Sequence, residues 1–277
     1  MEIKGMRILV SLICFGAASF SFSGCSTVPA TGKSALLLMP ESALIEQSNS
    51  LFAEMRKNER VSRNAQHNAM AQRVGEKIAK VAEADMPNVN WQFVVFEGDQ
   101  LNAFALPGGQ VGIYTGIFNL VDDDSDLATV VSHEIAHVTA QHGNQRMSRQ
   151  MLVVAGGVIL AAATQKQEDK TKNAMLAAYG LGSQVGVVLP FSRSQELEAD
   201  QLGLHYMTRA GYNPRRAIVF WEKMMHKKNA NMMPELLSTH PAHRTRIAAL
   251  QKQVEIAIDE HNSSQPIPFV DPKTKTK

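Results

Sequence analysis

The sequence predicts an α+β fold, mostly helical, with one small sheet, and three observations carry that reading. Residues 91–96, Trp-Gln-Phe-Val-Val-Phe, form a β-rich run just after the breakers Pro87 and Asn88. Two further apolar runs, residues 102–106 and 111–114, flank Pro107-Gly108-Gly109 and read as a hairpin. Beyond Gly116 the pattern is helical nearly to the end, with breaks at Pro190, at residues 211–214 and at Pro241. A small sheet set among helices is the α+β layout.

The 277 residues are 44% hydrophobic and 19% charged, a balance that builds a packed core rather than a disordered chain. A formal charge of +2 excludes a nucleic-acid binder built on a basic field. Two cysteines, Cys14 and Cys25, exclude a disulfide framework and any Cys-rich zinc module.

Taken in order, the chain opens on an address. Lys4 and Arg7 precede an apolar stretch over residues 8–22, which ends in Phe22-Ser23-Gly24-Cys25. The ending is similar to a bacterial lipobox, with residues 1–24 as signal peptide and Cys25 as the lipidated residue. Phe22 stands where Leu is usual, and an ordinary signal peptide or short anchor is the other reading. Ser26 replaces the Asp of an inner-membrane retention signal, which favours the periplasmic side of the outer membrane. Residues 25–40 then read as a tether broken by Pro29, Gly32 and Pro40. A domain follows over residues 41–262, starting with helices near 41–57 and 64–83. The second helix spaces Met70, Val74, Ile78 and Val81 along one face. Residues 263–277 read as a disordered tail.

His133-Glu134-Ile135-Ala136-His137 is the main chemical signal. On a helix, residues four apart lie one turn apart on the same face, so both imidazoles reach one metal ion. Glu134 sits about 100° round from His133, close enough to act on water without being a ligand. Leu127, Val131, Ile135 and Val138 cluster on the other side as an anchor to the core, and residues 122–126 supply N-cap candidates. Zinc at a catalytic site takes three protein ligands, and Glu196 in Glu196-Leu197-Glu198-Ala199-Asp200 supplies the third. Ala199 and Gly203 are small enough to let this second helix approach the first. Asp200 shares the face of Glu196 and is expected to hold the outer nitrogen of a histidine, His133 first. Glu198, about 200° round from Glu196, is expected in solvent or paired with an Arg such as Arg193. His142 and His205 read as structural.

The combination resembles the gluzincin metallopeptidases of the family that holds HtpX heat-shock proteases, CAAX prenyl proteases, mitochondrial Oma proteases and the periplasmic lipoproteins BepA and LoiP. Similar stretches run from Asn102 to Arg246: Asn102-Ala103-Phe104-Ala105-Leu106-Pro107-Gly108-Gly109, the histidine helix, Glu196-x-Glu198-Ala199-Asp200, Ala210-Gly211-Tyr212 and Thr239-His240-Pro241. The lipobox favours the periplasmic lipoprotein members, LoiP-like before BepA.

The resemblance implies a gluzincin metallopeptidase domain with its small sheet beside the zinc helix, and one zinc per chain on His133, His137 and Glu196. Glu134 is the general base for peptide hydrolysis and Arg246 the partner of the oxyanion, unless Arg246 is merely a surface residue. His240 is a displaceable fourth ligand that latches the enzyme, with His243 competing for that role. The strand carrying Asn102, Ala103, Phe104 and Ala105 pairs with the backbone of unfolded or misassembled envelope proteins. The apolar segments 152–163 and 175–190 are short and Gly-rich for membrane spans; they form a lid or hairpin over the cleft, touch the outer-membrane assembly machinery, or belong to the core. A chaperone or assembly factor with a latent zinc site is the alternative function.

Overall fold

The computed structural model describes residues 25–183, 191–227, 235–240 and 244–263. The sequence readings of residues 1–24, of 184–190 in the apolar segment 175–190, of 264–277, and of Pro241 and His243, lie outside the described residues. The fold is the expected one: mostly helical, with a small sheet beside the histidine helix.

The amino-terminal stretch departs from the tether reading. Strands β1 (Cys25–Thr27) and β2 (Ser34–Leu36) pair antiparallel, closing through Gly32 at φ +65°. Val28 is buried in this turn, so the segment packs on the domain. Proline and glycine here shape a hairpin turn rather than preventing structure.

Helix α1 (Glu41–Asn58) follows Pro40 and buries Leu44, Ser48 and Phe52 at helical spacing. Helix α2 (Ala65–Ala82) is capped by Asn64, whose side chain accepts from the backbone N–H groups of Gln66 and His67 at 3.0 and 3.1 Å. It buries Val74 and Ile78 and half-buries Met70 and Val81. Strands β3 (Gln92–Phe96), β4 (Ala103–Ala105) and β5 (Gln110–Tyr114) form a sheet in the order β3-β5-β4. β3 runs parallel to β5, while β4 and β5 form the expected hairpin, turned by Gly109 at φ +89°. Residues 60–62 close the β3 side, where Ser62 N–H donates to Val95 O at 2.8 Å. β4 therefore lies at the other edge.

A short 3₁₀ turn (Thr115–Asn119) leads to α3 (Asp124–Thr139), which is buried from Asp126 to its end. Asp123 caps it, accepting from Ser125 and Asp126 N–H at 2.8 and 3.1 Å. Helices α2, α6 (Arg193–Arg209) and α7 (Arg215–His226), together with β4, surround α3. α6 starts with a capping box, Ser192 and Gln195 bonding each other's backbone. Helix α9 (Arg244–Ser263) packs across α6 and α7, after the short α8 (Glu235–Thr239).

Helices α4 (His142–Ala163) and α5 (Asp169–Ser183) form a hairpin, joined where Tyr179 O–H donates to Val153 O at 2.5 Å. This overturns the core reading of residues 152–163: Leu152, Val154, Val158 and Ile159 are 54–68% exposed. With its polar first turns α4 reaches 22 residues, long and apolar enough by length and composition to cross a membrane.

Candidate metal centre

Helix α3 presents His133 and His137 on consecutive turns, their Nε2 atoms 3.1 Å apart. Helix α6 brings Glu196, whose Oε1 lies 3.4 Å from His137 Nε2 and whose Oε2 lies 3.5 Å from His133 Nε2. His240 follows α8 and adds its Nδ1, 3.3 Å from His133 Nε2 and 3.0 Å from Glu196 Oε1. All four residues are buried, and one donor atom from each lies within 4.8 Å of the others.

This donor set fits a zinc ion. Tetrahedral zinc with ligands at about 2.0–2.2 Å separates its donors by about 3.3–3.6 Å, which the observed 3.0–3.5 Å edges approach. Proton placement agrees. Asp200 Oδ1 lies 3.0 Å from His133 Nδ1, so the ring proton belongs there and the Nε2 lone pair faces inward. Burial and the charge on Arg246 pull the His133 pKa down, yet Asp200 and Glu196 leave it raised. Burial holds His137 and His142 below the usual histidine range, despite nearby carboxylates, so both are neutral near pH 7.

Glu134 lies on α3 beside β4, where the backbone N–H of Ala105 favours its charged form. Its Oε1 is buried with no hydrogen-bond partner, and His240 Nε2 lies 3.5 Å away. Burial, reinforced by the charge on Glu196, pushes its carboxyl up to about 7 against the pull of His240 and Arg246. A carboxyl so poised can take and return a proton near neutral pH.

Arg246 is 3% exposed, which overturns its surface reading. Its Nε and Nη2 donate to Asp200 at 2.5 and 2.7 Å, and its Nη1 lies 2.7 Å from Glu196 Oε2. The guanidinium stacks 4.0 Å above the Trp221 ring. Every nitrogen faces a site residue, so the geometry makes Arg246 the clamp of Asp200 and Glu196. Burial would raise the pKa of Glu196 and Asp200, but the Arg246 charge and the histidine contacts outweigh it and hold both as carboxylates.

Glu198 corrects its sequence reading. It is buried, not solvated; its Oε2 lies 3.0 Å from His142 Nε2, and Lys33, not Arg193, is 3.1 Å from its Oε1. His142 is fully buried beside the centre, with its Nδ1 2.9 Å from His137 Nδ1. Sequence reasoning also missed Trp221, edge-on to His133, and Phe191, tilted against His137 at 4.2 Å. Phe191 directly precedes the α6 cap, the one signal that could have marked it. An apolar cleft opens beside His137, lined by Leu44, Ala105, Pro107, Val138 and Phe191 among others. Cys25 is exposed on β1.

Two imidazoles from consecutive turns of one helix, met by a carboxylate from a second helix, form a metallopeptidase centre of the gluzincin type. Residues 65–254 match the model of Peptidase family M48, and the chain belongs to that family. Relatives include the mitochondrial metalloendopeptidase OMA1 of Bos taurus, 30% identical over 96% of this chain and 54% of its own length. The mitochondrial metalloendopeptidase OMA1 of Arabidopsis thaliana is 30% identical over 61% of this chain and 32% of its own. The beta-barrel assembly-enhancing protease of Escherichia coli (strain K12) is 31% identical over 61% of this chain and 35% of its own. The chain thus spans about half the length of the bovine relative and about a third of the others.

Proposed function

We propose that this chain is a zinc-dependent endopeptidase of the bacterial envelope that hydrolyses peptide bonds in unfolded or misassembled envelope proteins. The observation that carries the reading is the convergence of His133, His137 and Glu196 beside Glu134. When bound, zinc supplies a Lewis acid that polarises a carbonyl and acidifies water. Glu134 takes the proton of the attacking water and returns it to the leaving amine. Asp200 fixes the His133 ring, and Arg246 steadies Asp200 and Glu196, a positioning task that replaces the oxyanion role expected from sequence. The substrate backbone pairs along the β4 edge, residues 103–105, beside Glu134.

His240 serves as the latch, since it occupies the fourth donor position and faces Glu134 at 3.5 Å. Cys25 carries lipid on the periplasmic side of the outer membrane, and the exposed apolar face of α4 rests on the same lipid surface. The closed donor set also favours a second reading, a chaperone or assembly factor working with outer-membrane machinery, in which the zinc site is latent.

Casein hydrolysis with and without chelator, alongside zinc content, tests these readings. Glu134→Gln should keep zinc while losing about 10²–10⁴-fold in rate, and His240→Ala should raise the rate. Full activity in Glu134→Gln would refute the proposed chemistry; zinc-loaded wild type and His240→Ala proteins that both fail to cleave would favour the chaperone.

A further inference from the structure

A line of polar contacts leaves the centre through His137 and ends on the partly exposed Lys33. His137 Nδ1 meets His142 Nδ1 at 2.9 Å, His142 Nε2 meets Glu198 Oε2 at 3.0 Å, and Glu198 Oε1 meets Lys33 Nζ at 3.1 Å. The four residues come from α3, α4, α6 and the β1–β2 turn, so no single element explains their meeting. We propose that His142 and Glu198 are positioning residues that fix the His137 ring for metal binding, and that Lys33 ties this pair to the amino-terminal hairpin. The inference rests on the metal reading above and extends it beyond the ligands.

Proton bookkeeping gives the line its direction. A carboxylate only accepts, so His142 Nε2 carries the ring proton that faces Glu198. In a neutral imidazole the other nitrogen is then an acceptor, and His142 Nδ1 must receive from His137. His137 accordingly holds its proton on Nδ1 and turns a bare Nε2 to the centre, the form a metal requires. His133 reaches the same form through Asp200. The two histidine ligands are thus prepared by different acids, one directly and one through a second imidazole.

The outer end of the line lies on the hairpin that carries Cys25. Lys33 directly precedes β2, whose Leu36 pairs with Cys25. The following stretch is stitched to α4, where Leu38 N–H donates to Ser148 Oγ at 2.7 Å and Met39 N–H donates to Asn144 Oδ1 at 3.2 Å. Displacing the hairpin would pull Lys33 from Glu198 and loosen the constraint on His137.

Zinc affinity measured by chelator competition on the full chain tests the inference, after wild type has been shown to bind zinc. His142→Ala should weaken binding about 10–100-fold. Glu198→Gln should weaken it in the same direction, and Lys33→Met by about twofold to fivefold, as befits a half-exposed pair. Lys33→Met should add nothing further in the Glu198→Gln background. A separate reading needs no metal: long-range ¹H–¹⁵N NMR of the metal-free protein should find His142 protonated on Nε2 and His137 on Nδ1. Folded His142→Ala and Glu198→Gln proteins with wild-type zinc affinity would overturn the proposal, as would the opposite tautomers. Should His142→Ala fail to fold, Glu198→Gln and the spectrum of the wild type decide.

Discussion

Asp126 shows how a single buried charge organises the entrance to the histidine helix. It is fully buried in the first turn of α3, yet Arg216 grips both its oxygens, with Nε at 2.8 Å from Oδ1. Lys223 and the backbone N–H of Asp122 add to the same carboxylate. Asp126→Asn removes the charge but leaves Arg216 in place, and losing one partner of a buried pair costs about 3–5 kcal/mol. Arg216 is 23% exposed, so solvent offsets part of that, and a loss of about 2–3 kcal/mol is expected in denaturant unfolding. A loss under about 0.5 kcal/mol would mean that solvent already carries the Arg216 charge. At this scale the sequence was informative wherever one helix settled the geometry. His133, Glu134 and His137 could be read from a fixed pentapeptide spacing, and Asp200 from its shared face with Glu196. Glu198 and His142 could not, because helical angle says where a side chain leaves its own helix and nothing about what a neighbour brings to meet it. Lys33, more than a hundred residues away, turned a predicted solvent-facing carboxylate into a buried one.

Elements meet here by the absence of side chains as much as by their presence. A Cβ on Gly203 would lie 3.1 Å from His133 N and 3.2 Å from Ser132 Oγ, so α6 rests directly on the α3 backbone at His133. Glu196 and Asp200 sit within two turns of that contact and reach the histidines because of it. Gly203→Val should therefore separate the helices, costing about 1–3 kcal/mol in thermal or denaturant unfolding. It should also lower zinc content, because the carboxylate ligand moves with the helix. A folded Gly203→Val protein with full zinc content would show that the two helices need not touch. The small residues of α6 made this approach legible in the sequence. The β1–β2 hairpin was not: strands of three residues carry too short a pattern for alternation to be seen, and their partners lie on α4.

Over the whole molecule, apolar surface is distributed unevenly. The core gathers around α3, whereas α4 leaves Leu152, Val154, Val158 and Ile159 exposed at 54–68%. No charged residue falls between Arg149 and Lys166, and basic side chains flank both ends. The hairpin bearing Cys25 packs beside the polar start of the same helix, so the lipid proposed for Cys25 would add a membrane contact to that of the apolar stretch. A single acyl signal gives only marginal membrane binding, and a second apolar contact makes it lasting. Protein carrying Cys25→Ala, which removes the proposed lipidation site, should still float with phosphatidylethanolamine–phosphatidylglycerol vesicles. Val158→Asp with Ile159→Asp in that background should weaken the association by about tenfold or more, since each buried aliphatic side chain contributes about 1.5–3 kcal/mol. Zinc content should not change, because neither residue is near the centre. Equal flotation of the two proteins would detach this face from the membrane, and a concentration-dependent dimer lost in the Asp variant by sedimentation would assign it to a second copy of the chain instead.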